Sequence, residues 1–358
     1  MESMTQPRVS LLVPIYNVEK YLHECLDSAK NQTLENIEII CINDGSKDSS
    51  RAIIQEYLDA DPRFRVIDKE NSGYGASMNR GIDAARGEFI GILESDDFFE
   101  PDALEKLVTA ADSMNAQVAK ANFWFYWSTP EPRNELFEVV TPNMANRLYD
   151  TSAEYELFYR KNSIWSAVYR RDFIAENNIR FLETPGASYQ DAAFDFKVWA
   201  CASRVVCLTD PILHYRQDNE ASSVNSPSKV FCVCDEYDEI ERFVAAHPEK
   251  KYLVPVVEKM KYDSYMWNYD RLSDDLKLKF LRRFSEDFKR DMQAGSIDMQ
   301  TFEWWKQQDM ASIMRSPEKF HAWRCGKPED SIFTRAKLLI DAKGWGAFFA
   351  AVRNRIAR

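Results

Sequence analysis

Glu94, Asp96 and Asp97 flank Ser95 at the end of an apolar run, residues 89–93, and are followed by Phe98, Phe99 and Pro101. Carboxylates crowded at a strand end repel one another unless a cation sits among them, and oxygen-only ligation selects Mg²⁺ or Mn²⁺. Such an ion would bridge a protein carboxylate and a ligand diphosphate and help a leaving group depart. The plainer alternative is a solvated acidic cap on the following helix, where Asp and Glu are favoured anyway.

Two other constellations could meet a nucleotide. Pro14-Ile15-Tyr16-Asn17 and Asn43-Asp44-Gly45-Ser46-Lys47-Asp48-Ser49 end the first two apolar runs. Asp44 there could accept hydrogen bonds from a base or ribose while Gly45 turns the backbone tightly, although Asp-Gly alone is an ordinary turn. In Asn71-Ser72-Gly73-Tyr74-Gly75-Ala76-Ser77-Met78-Asn79-Arg80-Gly81, two glycines open a helix whose exposed amides, with Arg80, suit a diphosphate. The glycines fall at 73, 75 and 81, which is not the dinucleotide fingerprint, and no phosphate-binding ATPase loop is present.

These loops need a frame, and the hydrophobic pattern supplies one. Residues 9–14 and 37–42 are nearly continuous apolar runs, the mark of strands buried on both faces. Between them Asn17 can cap a helix with Val18, Tyr21, Leu22, Cys25, Leu26 and Ala29 on one face. A helix through Ile53, Ile54, Tyr57 and Leu58, a strand at 64–67, a helix at 75–85 and a strand at 89–93 continue the alternation. Such βαβ units predict a mostly parallel α/β sheet with the post-strand loops gathered on one edge. A helix after Pro101, a strand at 123–127, a loop-like stretch at 128–147 and a strand at 205–213 follow. From about Val230 the pattern turns helical and aromatic, with Tyr262, Tyr265, Trp267, Trp304 and Trp305 and no internal repeat.

The totals bound the function. At 358 residues with 45% hydrophobic and 29% charged residues, the chain suits a catalytic domain plus an accessory part. A net charge of −11 argues against a nucleic-acid surface, so the expected nucleotide is a small ligand. Seven scattered cysteines without paired C-x-x-C spacing predict reduced thiols and a cytoplasmic protein. Neither a secretory leader nor a transmembrane run is expected from the pattern.

In that order, Val13-Pro14-Ile15-Tyr16-Asn17, Asn43-Asp44-Gly45-Ser46, Asn71-Ser72-Gly73 with Asn79-Arg80-Gly81, and Glu94-Ser95-Asp96-Asp97 resemble the motifs of glycosyltransferase family 2. The resemblance is specific over roughly the first hundred residues and fades by about residue 225. It implies a GT-A fold, a nucleotide-diphosphate sugar, usually a UDP-sugar, as donor, and inversion at the anomeric carbon. Pro14, Tyr16, Asn17, Asp44, Lys69, Asn71, Gly73, Asn79, Glu94, Ser95 and Asp96 would then bind the donor. Asp96 would hold Mn²⁺ or Mg²⁺; Glu94 stands where the family usually has Asp.

Downstream, Tyr189-Gln190-Asp191-Ala192-Ala193-Phe194 matches the family's Glu-Asp pair, with Gln190 in place of Glu. Asp191 is the implied base that takes the acceptor hydroxyl proton, and Asp195 is its rival. Trp165 resembles an acceptor-stacking residue, with a core tryptophan as the bland reading, and Asp97 is placed with it on the acceptor side. His214 is either a metal ligand or a structural histidine.

The expected organisation is a catalytic domain over 1–225, with a nucleotide-sugar half (1–100) and an acceptor half (101–225), followed by a helical region over 226–358. That region could serve dimerisation, acceptor binding or membrane contact. Its tail carries Arg335, Lys337, Lys343, Arg353, Arg355 and Arg358 beside Leu338, Leu339, Trp345, Phe348, Phe349 and Val352, which suits either a peripheral contact at the inner membrane face or a packed terminal helix. The leading reading is sugar transfer to a glycan, lipid-linked or protein-linked acceptor in bacterial polysaccharide or glycoconjugate synthesis. A sugar-phosphate nucleotidyltransferase and a non-catalytic glycan-binding scaffold are the alternatives.

Overall fold

The computed structural model describes residues 6–219, 229–326 and 332–356, and the chain divides into two compact units, Met1–Ser223 and Val224–Arg358. The first unit is built on one ten-stranded sheet. Strands β1 (Val9–Ile15) and β2 (Ile37–Asn43) are buried along their whole length, as continuous apolar runs demand. Helix α1 (Glu19–Lys30) joins them and buries Leu22, Cys25, Leu26 and Ala29. Helix α2 (Ser50–Ala60), strand β3 (Phe64–Asp68), helix α3 (Tyr74–Ala84) and strand β4 (Phe89–Ile92) complete the βαβ alternation. After β5 (Phe98–Phe99) and helix α4 (Ala103–Ser113) come β6 (Val118–Trp127), β7 (Arg133–Phe137), β8 (Leu148–Tyr149) and β9 (Ala167–Arg170). Helices α5 (Arg171–Glu176) and α6 (Gln190–Cys201) precede the last strand, β10 (Val205–Arg216).

The strand order is β3-β2-β1-β4-β9-β6-β10-β5, with β7 on β6 and β8 on β10. The first four strands are parallel; β9 runs antiparallel to both β4 and β6, so the sheet is mixed beyond β4. Three local expectations change. Residues 128–147 contain β7, which pairs with the outer half of β6; its Arg-Asn-Glu sequence is exposed, so it carries no hydrophobic signal. Strand β10 runs to Arg216 through a register shift around Pro211, which puts His214 inside the sheet. Val18, not Asn17, is the residue before α1, and the Asn17 side chain instead accepts a bond from the Lys47 amide (2.8 Å).

The second unit consists of helices α7 (Cys232–Ala246), α8 (Val254–Arg271), α9 (Asp274–Ala294), α10 (Trp304–Arg315), α11 (Pro317–Arg324), α12 (Ile332–Lys343) and α13 (Trp345–Ile356). Its core is aromatic: Tyr265 meets Phe280, Phe284 and Phe288 with ring centroids 5.2–6.0 Å apart, and Tyr262 is buried beside Phe284. Trp267, Trp304 and Trp305 face solvent. The tail is partly packed: Lys343 pairs with Asp309 and lies 3.8 Å from the Trp323 ring centroid, while Phe333, Trp345 and Phe349 are exposed. Arg358 and the boundary at 225/226 lie outside the described residues, as do the side chains of Val352 and Arg355. Among the described residues no helix is long and apolar enough to cross a membrane.

Candidate active site

A cleft of about 310 Å³ opens where the parallel strands end. Tyr16 and Asn17 reach it from the end of β1, Glu94, Ser95 and Asp96 from the end of β4, and Asp191 from the first turn of α6. Tyr74, Trp165, Tyr215 and Asn219 complete its polar and aromatic wall. Ligand chemistry at the carboxyl ends of parallel strands follows from the topology, because helix-bearing crossovers leave that edge to the loops.

Most residues of the second and third strand loops are spent on building this edge. Asp44 is buried; its carboxylate accepts from the Ser72 and Gly73 amides (2.9 and 3.0 Å) and pairs with Lys69. Asn43 donates to Asp68 (2.8 Å), and Gly45, at φ +71°, lets the turn pass under Asn71. Pro14 lies buried within β1. None of Pro14, Asp44, Lys69, Asn71, Gly73 and Asn79 lines the cleft. Asn79 fastens α3 to the segment before α6, donating to Phe181 O (3.0 Å) and Glu183 (2.9 Å) and accepting from the Phe181 amide.

That segment also covers the start of α3, where the sequence pattern alone suggests room for a diphosphate. The Tyr74 amide donates to Gly186 O (2.8 Å). A Cβ on Gly73 would lie 2.7 Å from Thr184 O, and one on Gly75 2.1 Å from Leu182 O. The glycines therefore permit close approach of the 182–186 backbone, and Arg80 points to solvent without lining the cleft. Gln190, which is 2% exposed, holds the same loop from beneath. Its amide donates to Thr184 Oγ1 (2.9 Å) and Gly186 O (3.3 Å), and its carbonyl accepts from the Ser188 amide. Asp191 follows directly and enters the cleft, whereas Asp195 is buried against Lys120 and does not line it.

On the opposite wall, Trp165 stacks edge-on against Phe123 (4.5 Å) and leans on Tyr215 (4.9 Å), so one face is core and the other borders the cleft. Arg216 locks the acidic loop: its amide donates to Asp97 (2.8 Å), its Nε to Asp96 O (2.9 Å), and its guanidinium sits between the Tyr21 and Tyr126 rings while pairing with Glu24. Asp97 is thereby 1% exposed and away from the cleft surface. His214 is also elsewhere: its ring nitrogens meet Asn134 and Glu100, both at 3.0 Å, and it stacks on Phe98 at 4.3 Å. Arg216 and Asn219 carry no motif that marks them as site residues in the sequence, and Tyr74 lies within the 71–81 stretch without being singled out there; Asn219 donates to Asp96 (2.7 Å) and Tyr74 to Glu94 (2.6 Å). For Arg216 the one available signal is its place two residues after His214.

The electrostatics are unbalanced toward negative charge. Burial pushes the Glu94 carboxyl up to about 8, with Asp96 and Asp191 adding to the shift against the Tyr74 hydrogen bond. Burial also raises Asp97 well above the usual carboxylate range, and Asp97 Oδ2 has no hydrogen-bond partner. Asp191 is raised by burial and partly held down by Lys161, whose ammonium lies 5.4 Å from the Tyr215 ring centroid. Clustered oxygen donors short of cations fit a hard divalent ion at Asp96.

A parallel half-sheet continued past the reversed strand β9 by the parallel pair β6 and β10, with a carboxylate cleft at its strand ends, has the GT-A arrangement, and residues 10–197 match the family model for glycosyl transferase family 2. The chain belongs to that family. It is 38% identical over 220 residues to the putative glycosyltransferase EpsH of Bacillus subtilis, a match that covers 60% of this chain and 62% of EpsH. It is also 33% identical over 217 residues to the uncharacterized glycosyltransferase EpsJ of the same organism, covering 59% of this chain and 62% of EpsJ. In both cases the match spans less than two thirds of the relative. Among solved structures, S. aureus TarS 1–349 in complex with UDP-GlcNAc shares the fold with a TM-score of 0.66 at 17% identity, covering 90% of this chain and 93% of that one.

Proposed function

We propose that the protein is an inverting glycosyltransferase that moves a sugar from a nucleotide diphosphate, a UDP-sugar first among the candidates, to a hydroxyl of a glycan, lipid-linked or protein-linked acceptor in bacterial polysaccharide or glycoconjugate assembly. The observation that carries the reading is the meeting in one cleft of Asp191 from α6 with Glu94, Ser95 and Asp96 from β4 and Tyr16 from β1. Tyr16, half exposed, offers a ring to a nucleoside base. Asp191 takes the proton of the acceptor hydroxyl as that oxygen bonds to the anomeric carbon and the bond to the diphosphate breaks. Lys161 steadies the Asp191 carboxylate by its charge, and Arg216 holds the Asp96 backbone in place. A Mg²⁺ or Mn²⁺ ion held by Asp96, with Glu94 beside it, would offset charge on the departing diphosphate. Both His214 nitrogens have protein partners, so the metal reading rests on Asp96.

The donor class is supported by family membership, and UDP-GlcNAc, bound by TarS, is the first to try. Exposed Phe333, Trp345 and Phe349 near Arg335 and Lys337 support a peripheral contact between the tail and an anionic lipid surface, to be checked by liposome sedimentation with and without residues 332–358. The decisive experiment measures binding and nucleotide release with UDP-, dTDP- and GDP-sugars, with and without Mn²⁺. Release of one nucleotide that needs Mn²⁺, with binding lost in Asp96→Ala and turnover alone lost in Asp191→Asn, is expected. Binding without turnover on any acceptor tried would return the scaffold reading, and no metal-dependent binding at all would refute the proposal.

A further inference from the structure

Away from this cleft, in the helical unit, α7, α8 and α9 bring Glu241, Glu258 and Asp291 together with carboxylate oxygens within 4.8 Å of one another. Two cations share the group. Lys261 pairs with Glu241 and with Asp291 (2.6 Å), and Arg290 reaches Glu241 Oε2 and Asp291 Oδ1, both at 2.9 Å. Each oxygen of Glu241 and Asp291 thus already faces a cationic nitrogen. Glu258 is the carboxylate left over: it is 3% exposed, and its Oε2 has no hydrogen-bond partner. A buried carboxyl oxygen without a donor is costly, and such an atom calls for an explanation.

All three carboxylates line a cavity of about 450 Å³. Val244, Val254, Val257 and Pro248 make its wall largely apolar, and Lys251 lies exposed at the rim. A divalent ion fits poorly. It would compete with the Lys261 ammonium for oxygens already paired, and the cavity is far larger than one ion needs. An apolar body with a single positive head fits both features: of the three carboxylates Glu258 is the one without an ion pair, and the valines leave a hydrocarbon surface to cover.

We propose that this cavity binds a primary ammonium on an aliphatic chain, its head on Glu258 and its hydrocarbon on Val244, Val254 and Val257. Burial lifts the Glu258 carboxyl to about 8, so an arriving ammonium also stabilises the ionised form. The chemistry is shared by a free alkylamine and by the lysine side chain of a partner, and the test separates them.

The full chain is titrated by calorimetry at pH 7.5 with n-hexylamine, n-hexanol and Nα-acetyl-lysine methylamide. Saturable hexylamine binding, at least tenfold tighter than hexanol, is expected. Glu258→Gln should weaken the amine at least tenfold and abolish its advantage over the alcohol, with circular dichroism unchanged. Ala294→Trp, at an exposed position on the cavity edge, should block every ligand. Tighter binding of hexylamine than of the lysine derivative assigns the site to a free amine, and the reverse order assigns it to a partner's side chain. The proposal is overturned by the absence of saturable amine binding, by equal binding to Glu258→Gln, or by Glu258-dependent uptake of Ca²⁺ or Mn²⁺ that hexylamine does not affect. None of these readouts involves sugar transfer.

Discussion

Replacing Gln190 by glutamate would recreate the acidic pair usual in the family, yet the structure predicts that it loosens the loop in front of Asp191. The Gln190 amide nitrogen donates to Thr184 Oγ1 and to Gly186 O, and its oxygen accepts from the Ser188 amide. A glutamate keeps the Ser188 bond, and the Thr184 hydroxyl can turn to donate. Gly186 O, however, would face a carboxylate oxygen with no proton between them. Losing that bond at a site 2% exposed costs about 1 to 3 kcal/mol. For a unit of this size that corresponds to a fall in Tm of about 2 to 12 °C.

The sign with pH follows. The buried carboxyl introduced by Gln190→Glu would have its pKa raised above the unfolded value of about 4.3, because only the protonated acid can donate to Gly186 O. Its contribution is fully present below the unfolded pKa and is lost as pH rises through the raised folded value. The gap between Gln190→Glu and wild type should therefore widen from pH 5 to pH 8 in paired thermal melts, and turnover should fall with the loop. Equal Tm values at pH 8, a gap independent of pH, or a gain in turnover would refute the role given to the Gln190 amide.

Gly75→Ala places a Cβ 2.1 Å from Leu182 O and should cost about 3 kcal/mol or more, read by urea unfolding, whereas Gly295→Ala, with nothing within 4 Å, costs only about 1 to 2 kcal/mol for its left-handed backbone. Asp191→Asn should keep donor affinity and lower kcat by about 10² to 10⁴, measured by nucleotide release. In wild type, kcat should rise with pH through an Asp191 pKa that burial raises from its ordinary value, and Lys161→Met, by removing the charge that holds it down, should move that limb to higher pH. Arg216→Lys cannot reproduce the bond to Asp96 O between two tyrosine rings, so a weaker apparent Mn²⁺ affinity in donor binding is expected.

The parallel half of the sheet was legible in the chain because strands buried on both faces must be apolar throughout, and β1 and β2 are. The acidic stretch at 94–97 stood out in the chain because carboxylates cannot crowd a strand end without a reason, and residues 94–96 line the cleft. Residue type alone did not separate those that face the cleft from those that build it. Asp44 and Asn79 look like ligand contacts in sequence, but their hydrogen bonds run to Ser72, Gly73 and the 181–183 segment. His214 and Asp97 sit near the right motifs and are held away from the cleft by Phe98, Glu100 and Arg216. Strand β7, exposed and polar, left no pattern to read. Local composition reports burial and turn chemistry, which depend on neighbours in the chain. Which polar atom faces the cleft and which is consumed in holding it open depends on partners as far as 192 residues away, as with Arg216 and Glu24, and only the folded chain brings those together.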